Sequence, residues 1–189
     1  DKLPDNRMEL NSKEKVQQFL VSAYPDHNPA LLAEMYSDNS DEFKVTSWTS
    51  AGRFQDQAYA WADITEISES ETPQEIWNSL YKAMGTANTA LKAIRDNGNT
   101  DDYQPSKGEA LLCRAYAAFQ LANTFCMAYD ATTAEKYMGV PYPTEPETKV
   151  GTTYKRGTLA AFYDQINRDI EEGLPLITDN YSRPKYHFT

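Results

Sequence analysis

The sequence predicts an all-α protein, and three observations carry that reading. Apolar residues recur at 3.6-residue spacing in several long stretches. Helix start signals stand where those stretches begin. The strict apolar/polar alternation of a half-buried strand is absent along the chain.

The stretch 108–126 organises the rest. Ala and Leu dominate it, and both are strong helix formers. Leu111, Ala115, Ala118, Ala122 and Phe125 fall on one stripe, with Leu112, Tyr116 and Phe119 beside it. Two apolar faces built from small residues predict the middle layer of a helical stack, buried nearly all round, over about Ser106 to Ala128. Arg114 is the one charge after Glu109, and a buried guanidinium requires a carboxylate partner. Both are therefore read as structural, Arg114 as a tie between helices.

The other elements follow in order. Residues 1–10 are polar and broken by Pro4, an extended leader. Residues 11–36 hold the first helices. Asn11 with Glu14 three residues on is a capping-box arrangement, Val16, Phe19, Leu20 and Ala23 give an apolar face, and Pro25 and Pro29 end the helix near Tyr24. A shorter helix over Ala30–Tyr36 is expected to bury Leu31, Leu32 and Met35. Residues 37–71 break the periodicity yet hold Phe43, Trp48, Phe54, Tyr59 and Trp61. A long aromatic-rich irregular segment in a compact protein points to function.

The next helix is signalled by Thr72 as N-cap, Pro73 at the first helical position and Glu75 closing the capping box. Trp77, Leu80, Tyr81, Met84, Ala87, Leu91 and Ile94 mark its core face. Asn88 shares that face and is read as a buried amide tied to neighbouring backbone. Asp96-Asn97-Gly98-Asn99 is a stop signal. Residues 129–155 form a long connection through Pro141, Pro143 and Pro146. A last helix starts near Thr158, with Leu159, Phe162, Tyr163, Ile166, Ile170 and Leu174 facing inward and Pro175 at its end.

Amphipathic helices starting near 73, 106 and 157 predict paired helices stacked as a tetratricopeptide-like scaffold with long irregular loops. Such a stack needs a terminal cap, and none follows the last helix, so a truncated C-terminus is expected.

Composition excludes several functions. The net charge of −10 over 189 residues argues against nucleic acid and anionic lipid, because no basic cluster could replace phosphate counterions. No apolar run approaches the roughly 18 residues needed to span a bilayer. Cys113 and Cys126 would sit about 20 Å apart along one helix, which rules out a disulfide between them. The two histidines, His27 and His187, have no ligand pattern around them, and the acidic residues show no calcium-loop spacing, so neither metal nor cofactor is expected. Nucleophile elbow, phosphate loop and Cys/His pair are all missing, and no carboxylate pair is singled out by context.

A family resemblance rests on specific residues. Gly108-Glu109-Ala110 through Arg114-Ala115 to Phe119 and Leu121 resembles the GEA-x-x-x-RA-x-x-x-F-x-L signature of the SusD/RagB family. Leu3-Pro4 resembles the family's leader, Glu14 to Tyr24 its first helix, and Trp77, Tyr81 and Asn88 its W-x-x-x-Y…N helix. Gly139-Val140-Pro141-Tyr142 resembles its GVP connection, and Arg156-Gly157-Thr158 to Leu174 its following helix. Gly173 departs from the usual Ala, and Cys126 from the usual Phe-Gly.

The resemblance covers almost the whole chain and implies a cell-surface, non-catalytic nutrient-binding lipoprotein of the Bacteroidetes outer membrane. It implies capture of oligosaccharides for import through a SusC-type TonB-dependent transporter, with membrane attachment only through a lipid anchor outside this chain. Family members are longer, so the chain is expected to be an N-terminal portion. A helical-repeat protein-interaction module without a small ligand is the competing reading. Trp48, Arg53, Tyr59 and Trp61 carry the chemistry that sugars need, rings for C–H faces and a cation for hydroxyls. The same rings would serve equally to pack the loop on the helices.

Overall fold

The computed structural model describes residues 9–41, 53–67, 70–149 and 151–178. Among these residues the elements are α1 (Lys13–Leu20), α2 (Ala30–Met35), α3 (Phe54–Tyr59), α4 (Pro73–Asp96), α5 (Gln104–Phe125) and α6 (Leu159–Gly173), with short 3₁₀ turns after α1, before α5 and after α6. The fold is all-α, a tetratricopeptide-like scaffold. α5 is the middle layer, packed against α4 on one side and α6 on the other, with α1 lying across α4 and α5.

Local chemistry sets the helix starts. Thr72 Oγ1 accepts from Glu75 N at 3.3 Å and Thr158 Oγ1 from Ala161 N at 3.1 Å, each satisfying a donor that the first helical turn leaves open. At α1 the cap is Ser12 rather than Asn11: the Ser12 hydroxyl accepts from Lys15 N, while Asn11 Oδ1 binds the Lys15 ammonium at 2.8 Å. α4 ends where Gly98 and Asn99 adopt positive φ, 86° and 50°, which Gly and Asn tolerate best.

Two buried clusters form the core. Phe54, Leu80, Met84, Leu121, Phe162 and Ile166 join α3, α4, α5 and α6. Val16, Leu20, Ala87, Ile94 and Leu111 join α1, α4 and α5. Small side chains let the middle layers approach closely. Where α5 meets α6, a Cβ on Gly108 would lie 2.7 Å from Gly173 O, and one on Gly173 would lie 3.0 Å from Gly108 O. The glycine at 173 therefore has a partner across the helix crossing.

Several expectations need correction. The segment 37–71 is not irregular throughout, since Phe54 and Ala58 are fully buried and fold 54–59 as α3. α5 ends at Phe125, three residues short of Ala128. It is not buried all round: Tyr116 and Phe119 are exposed, because the described helices leave that edge largely uncovered. Leu31 is exposed and Met35 half-buried, leaving Leu32 to anchor the short α2. Ile170 on α6 and Leu174 just beyond it face solvent, while Asp169 and Gly173 turn inward. A simple apolar count misses that turn because α6 must offer Asp169 to the core charge and Gly173 to the tight crossing. Cys113 is buried and Cys126 half-buried, both free thiols.

The core charge is Arg114. Its Nε donates to Asp169 Oδ2 at 2.6 Å and its Nη2 to Asp169 Oδ1 at 2.7 Å, a bidentate pair with both side chains buried. Nη1 donates to Asn88 Oδ1 at 2.8 Å, and Asn88 Nδ2 donates to Pro143 O at 2.9 Å. Tyr142 completes the site, its hydroxyl donating to Asp169 Oδ2 at 2.7 Å with the guanidinium 5.9 Å from its ring centre. α4, α5, α6 and the 129–155 connection are thus fastened at one point. Burial works against the Arg114 charge, but the Asp169 carboxylate outweighs it and holds the pKa above its ordinary value. Glu109, one and a half turns earlier on α5, accepts from the Tyr24 hydroxyl at 2.9 Å and holds the chain after α1.

Three predictions follow from this packing. Gly108→Ala forces the α5–α6 crossing apart and costs about 1–3 kcal/mol, read as a lowered urea midpoint. Arg114→Ala strands Asp169 in the core and costs about 3–5 kcal/mol by the same measurement; a cost under 1 kcal/mol would contradict the fastening role. Burial raises the Tyr81 phenol first, with Cys126 adding, and raises Tyr142 first by burial, then by Asp169. A phenol raised in the fold contributes stability that is whole below the unfolded value of about 10 and is lost as pH climbs past it. Tyrosinate absorbance of these two rings is expected to appear only together with alkaline unfolding.

Candidate functional site

The short helices α2 and α3 pack against each other, with exposed Tyr59 at the end of α3 and exposed Trp61 just beyond it. α3 is too short to stand alone, and its buried Phe54 and Ala58 hold it to the core. Past Tyr59 the chain turns sharply, and Trp61 sits at φ 53°, a left-handed conformation unusual for a bulky residue. The turn is fixed on both sides: Gln57 Nε2 donates to Thr65 Oγ1 at 2.9 Å, and Thr65 N donates to Gln57 Oε1 at 3.0 Å. This clamp holds Trp61 outward, with 75% of its surface exposed. Its ring meets Tyr36 at the end of α2, centroids 4.9 Å apart and planes tilted by 58°. A strained backbone that presents a large apolar ring to water is a cost the fold alone does not require.

Tyr36 also borders a groove of about 550 Å³ between α2 and the C-terminal half of α5. Tyr116, Gln120 and Asn123 form its α5 wall, and Asn28 closes one end. Gln120 Nε2 donates to the Tyr116 hydroxyl at 3.1 Å, which sets both side chains. On the other side of α2–α3, Tyr59 lines a second hollow of about 490 Å³ with Asp41, Gln55 and Asp56. Arg53, just before α3, pairs with Asp56 at 3.5 Å.

Arg53, Tyr59 and Trp61 thus all lie on or beside α3 but do not form one site: Trp61 meets Tyr36, Tyr59 lines the second hollow and Arg53 pairs with Asp56, while Trp48 lies outside the described residues. Asn88, Glu109 and Arg114 lie in the core. Sequence reasoning missed Tyr36, Tyr116, Gln120 and Asn123. The seam Tyr116–Gln120–Asn123 at helical spacing in an otherwise Ala/Leu helix was the available signal. Chemically, the arrangement offers ring faces for apolar C–H surfaces and amides that both donate and accept. Groups of three or more His, Cys, Asp or Glu fit to hold a metal are absent among the described residues. No helix among them is long and apolar enough to cross a membrane.

Comparison with solved structures shows the same fold. A SusD superfamily protein from Bacteroides thetaiotaomicron superposes with a TM-score of 0.64 at 20% identity, covering 88% of this chain and 38% of that one. A SusD-like carbohydrate binding protein from Bacteroides vulgatus superposes with a TM-score of 0.67 at 21% identity, covering 93% of this chain and 38% of that one. The chain thus spans 38% of the length of each of these two solved proteins. No curated protein sequence matches. Residues 1–189 match the SusD-like_3 family, described as starch-binding associating with outer membrane, and the chain belongs to that family.

Proposed function

We propose that this chain takes part in non-catalytic capture of oligosaccharides at the cell surface, for import through a SusC-like TonB-dependent transporter in the outer membrane. The observation that carries the reading is Trp61, held outward against Tyr36 beside a groove with amide walls. Sugar rings present C–H faces that stack on such rings, and vicinal hydroxyls need the paired donors and acceptors that Gln120 and Asn123 supply. Family membership supports the glycan, and the likeness to a protein named for carbohydrate binding agrees with it. Trp48, Arg53 and Tyr59 are assigned as further ligand contacts on the same reading. The lipid anchor and the transporter partnership rest on the family alone.

The second reading, a protein-interaction scaffold without a small ligand, finds support in a different place. Phe119, Tyr163 and Tyr129 form an open ring cluster, Tyr129 and Tyr163 4.6 Å apart and Phe119 edge-on to Tyr163 at 6.4 Å. Such a patch suits a protein surface, and a transporter contact there is compatible with glycan capture around Trp61.

Affinity electrophoresis against soluble starch, barley β-glucan, mannan and pectin, followed by calorimetry with the strongest binder, tests the proposal. Trp61→Ala and Tyr36→Ala are each expected to weaken binding about tenfold. Wild-type affinity in the double variant would move the site elsewhere. Lack of retardation by every polysaccharide would remove the glycan reading.

A further inference from the structure

Gly85 sits inside α4, where glycine is less favourable than any residue but proline. The close-packed glycines of the scaffold have a visible reason. A Cβ would meet an atom at 2.7 Å at Gly108, 2.9 Å at Gly139 and 3.0 Å at Gly173. At Gly85 nothing among the described residues lies within 4 Å of where a Cβ would be, and its φ is not positive. Among the described residues, neither crowding nor backbone conformation calls for a glycine there.

What the missing side chain leaves open is a groove of about 310 Å³. Trp77 and Tyr81 flank Gly85 on α4, and Pro141, Pro143 and Tyr154 face them from the 129–155 connection. The walls are rigid. Trp77 is wedged between Tyr81 and Phe125, with centroids 4.8 and 5.1 Å away, and the Tyr81 hydroxyl donates to Pro141 O at 2.8 Å. Glu147 and Thr152 also line it, the Thr152 hydroxyl donating to Lys149 O at 2.8 Å and keeping its acceptor side for a ligand, and the groove continues into a neighbouring hollow of about 480 Å³ that shares both. Glu145 and Glu147 are the charged residues lining it; Glu145 is held by Arg95, and neither Lys nor Arg lines this groove. It shares no lining residue with the α2–α5 groove.

We propose that the groove over Gly85 is a second saccharide subsite, taking a non-anionic pyranose unit between Trp77, Tyr81 and Tyr154 with its hydroxyls toward Glu147 and Thr152. The volume falls at the small end of ligand pockets, enough for a short stretch of glycan. Aromatic walls suit the C–H faces of a sugar, and carboxylates accept from its hydroxyls. A uronate or sulfated unit here would meet the Glu147 carboxylate, while the described cations nearby are Arg95, already paired with Glu145, and Lys149, which lines the neighbouring hollow rather than this groove. The inference rests on the glycan-capture reading and adds a second point of contact to it.

Gly85→Leu tests it with little risk to the fold, because leucine is the better helix former and its Cβ meets no described atom. The variant is expected to keep or raise the thermal midpoint while weakening binding of the polysaccharide retained by the wild type about tenfold. Gly85→Ala, which adds one methyl, is expected to weaken it less. Tyr154→Ala, on the opposite wall, is expected to give a comparable loss. Wild-type affinity in Gly85→Leu, with Trp61→Ala still impaired, overturns the second subsite and leaves the first reading standing. Absence of glycan binding in the wild type removes both. Preference for pectin over neutral polysaccharides that Gly85→Leu abolishes also overturns the proposal.

Discussion

The scaffold depends on one buried charge. Arg114 lies at the centre of the middle helix, where an unpaired guanidinium could not be tolerated, so Asp169, Asn88 and Tyr142 must all converge on it. Convergence fixes more than energy. Asp169 can reach only if α6 lies in one register, which brings Gly173 against Gly108 and turns Ile170 outward. Asn88 spends its amide on Pro143 and so determines where the long connection crosses α4. A polar core cluster of this kind specifies an arrangement that apolar packing by itself would leave open to sliding.

Function on this scaffold is carried by what the core does not consume. The three long helices bury their apolar faces in each other, and their leftover edges meet the connecting segments to form grooves. α2 and α3 are short, and only a few buried side chains anchor them, so their exposed rings can be placed independently of the stack. Trp61 is the clearest case. Its turn is strained and its ring stands in water, yet the Gln57–Thr65 clamp and the Tyr36 ring hold it in one orientation. Pre-set rings reduce the ordering cost that a flexible receptor meets on binding.

The glycines divide along the same line. Gly108 and Gly173 serve the fold, allowing backbones to touch where α5 and α6 cross, and Gly139 does the same where the connection passes Phe162. No described residue packs against the Cβ position of Gly85, which opens onto a groove instead. Identical residues thus have opposite meanings, and only the distance to the nearest neighbour separates them.

The sequence alone determined the all-α class, the capped start of α4 and the family signature on α5. These depend on short-range periodicity and on side chains bonding backbone within three residues, information that is local by nature. It also required a partner for Arg114 without naming it. The tertiary structure chose Asp169, a residue 55 positions away that reads in isolation as solvent-facing on an amphipathic helix. It likewise decided that Tyr116 and Phe119 are exposed and that Phe54 and Ala58 form a helix inside a stretch lacking periodicity. It joined Tyr36 to Trp61 across 25 positions. Each of these depends on which neighbour happens to cover a given face, and no local pattern encodes that. The likeness to longer solved proteins identifies the scaffold, while the grooves are set by the side chains of this chain.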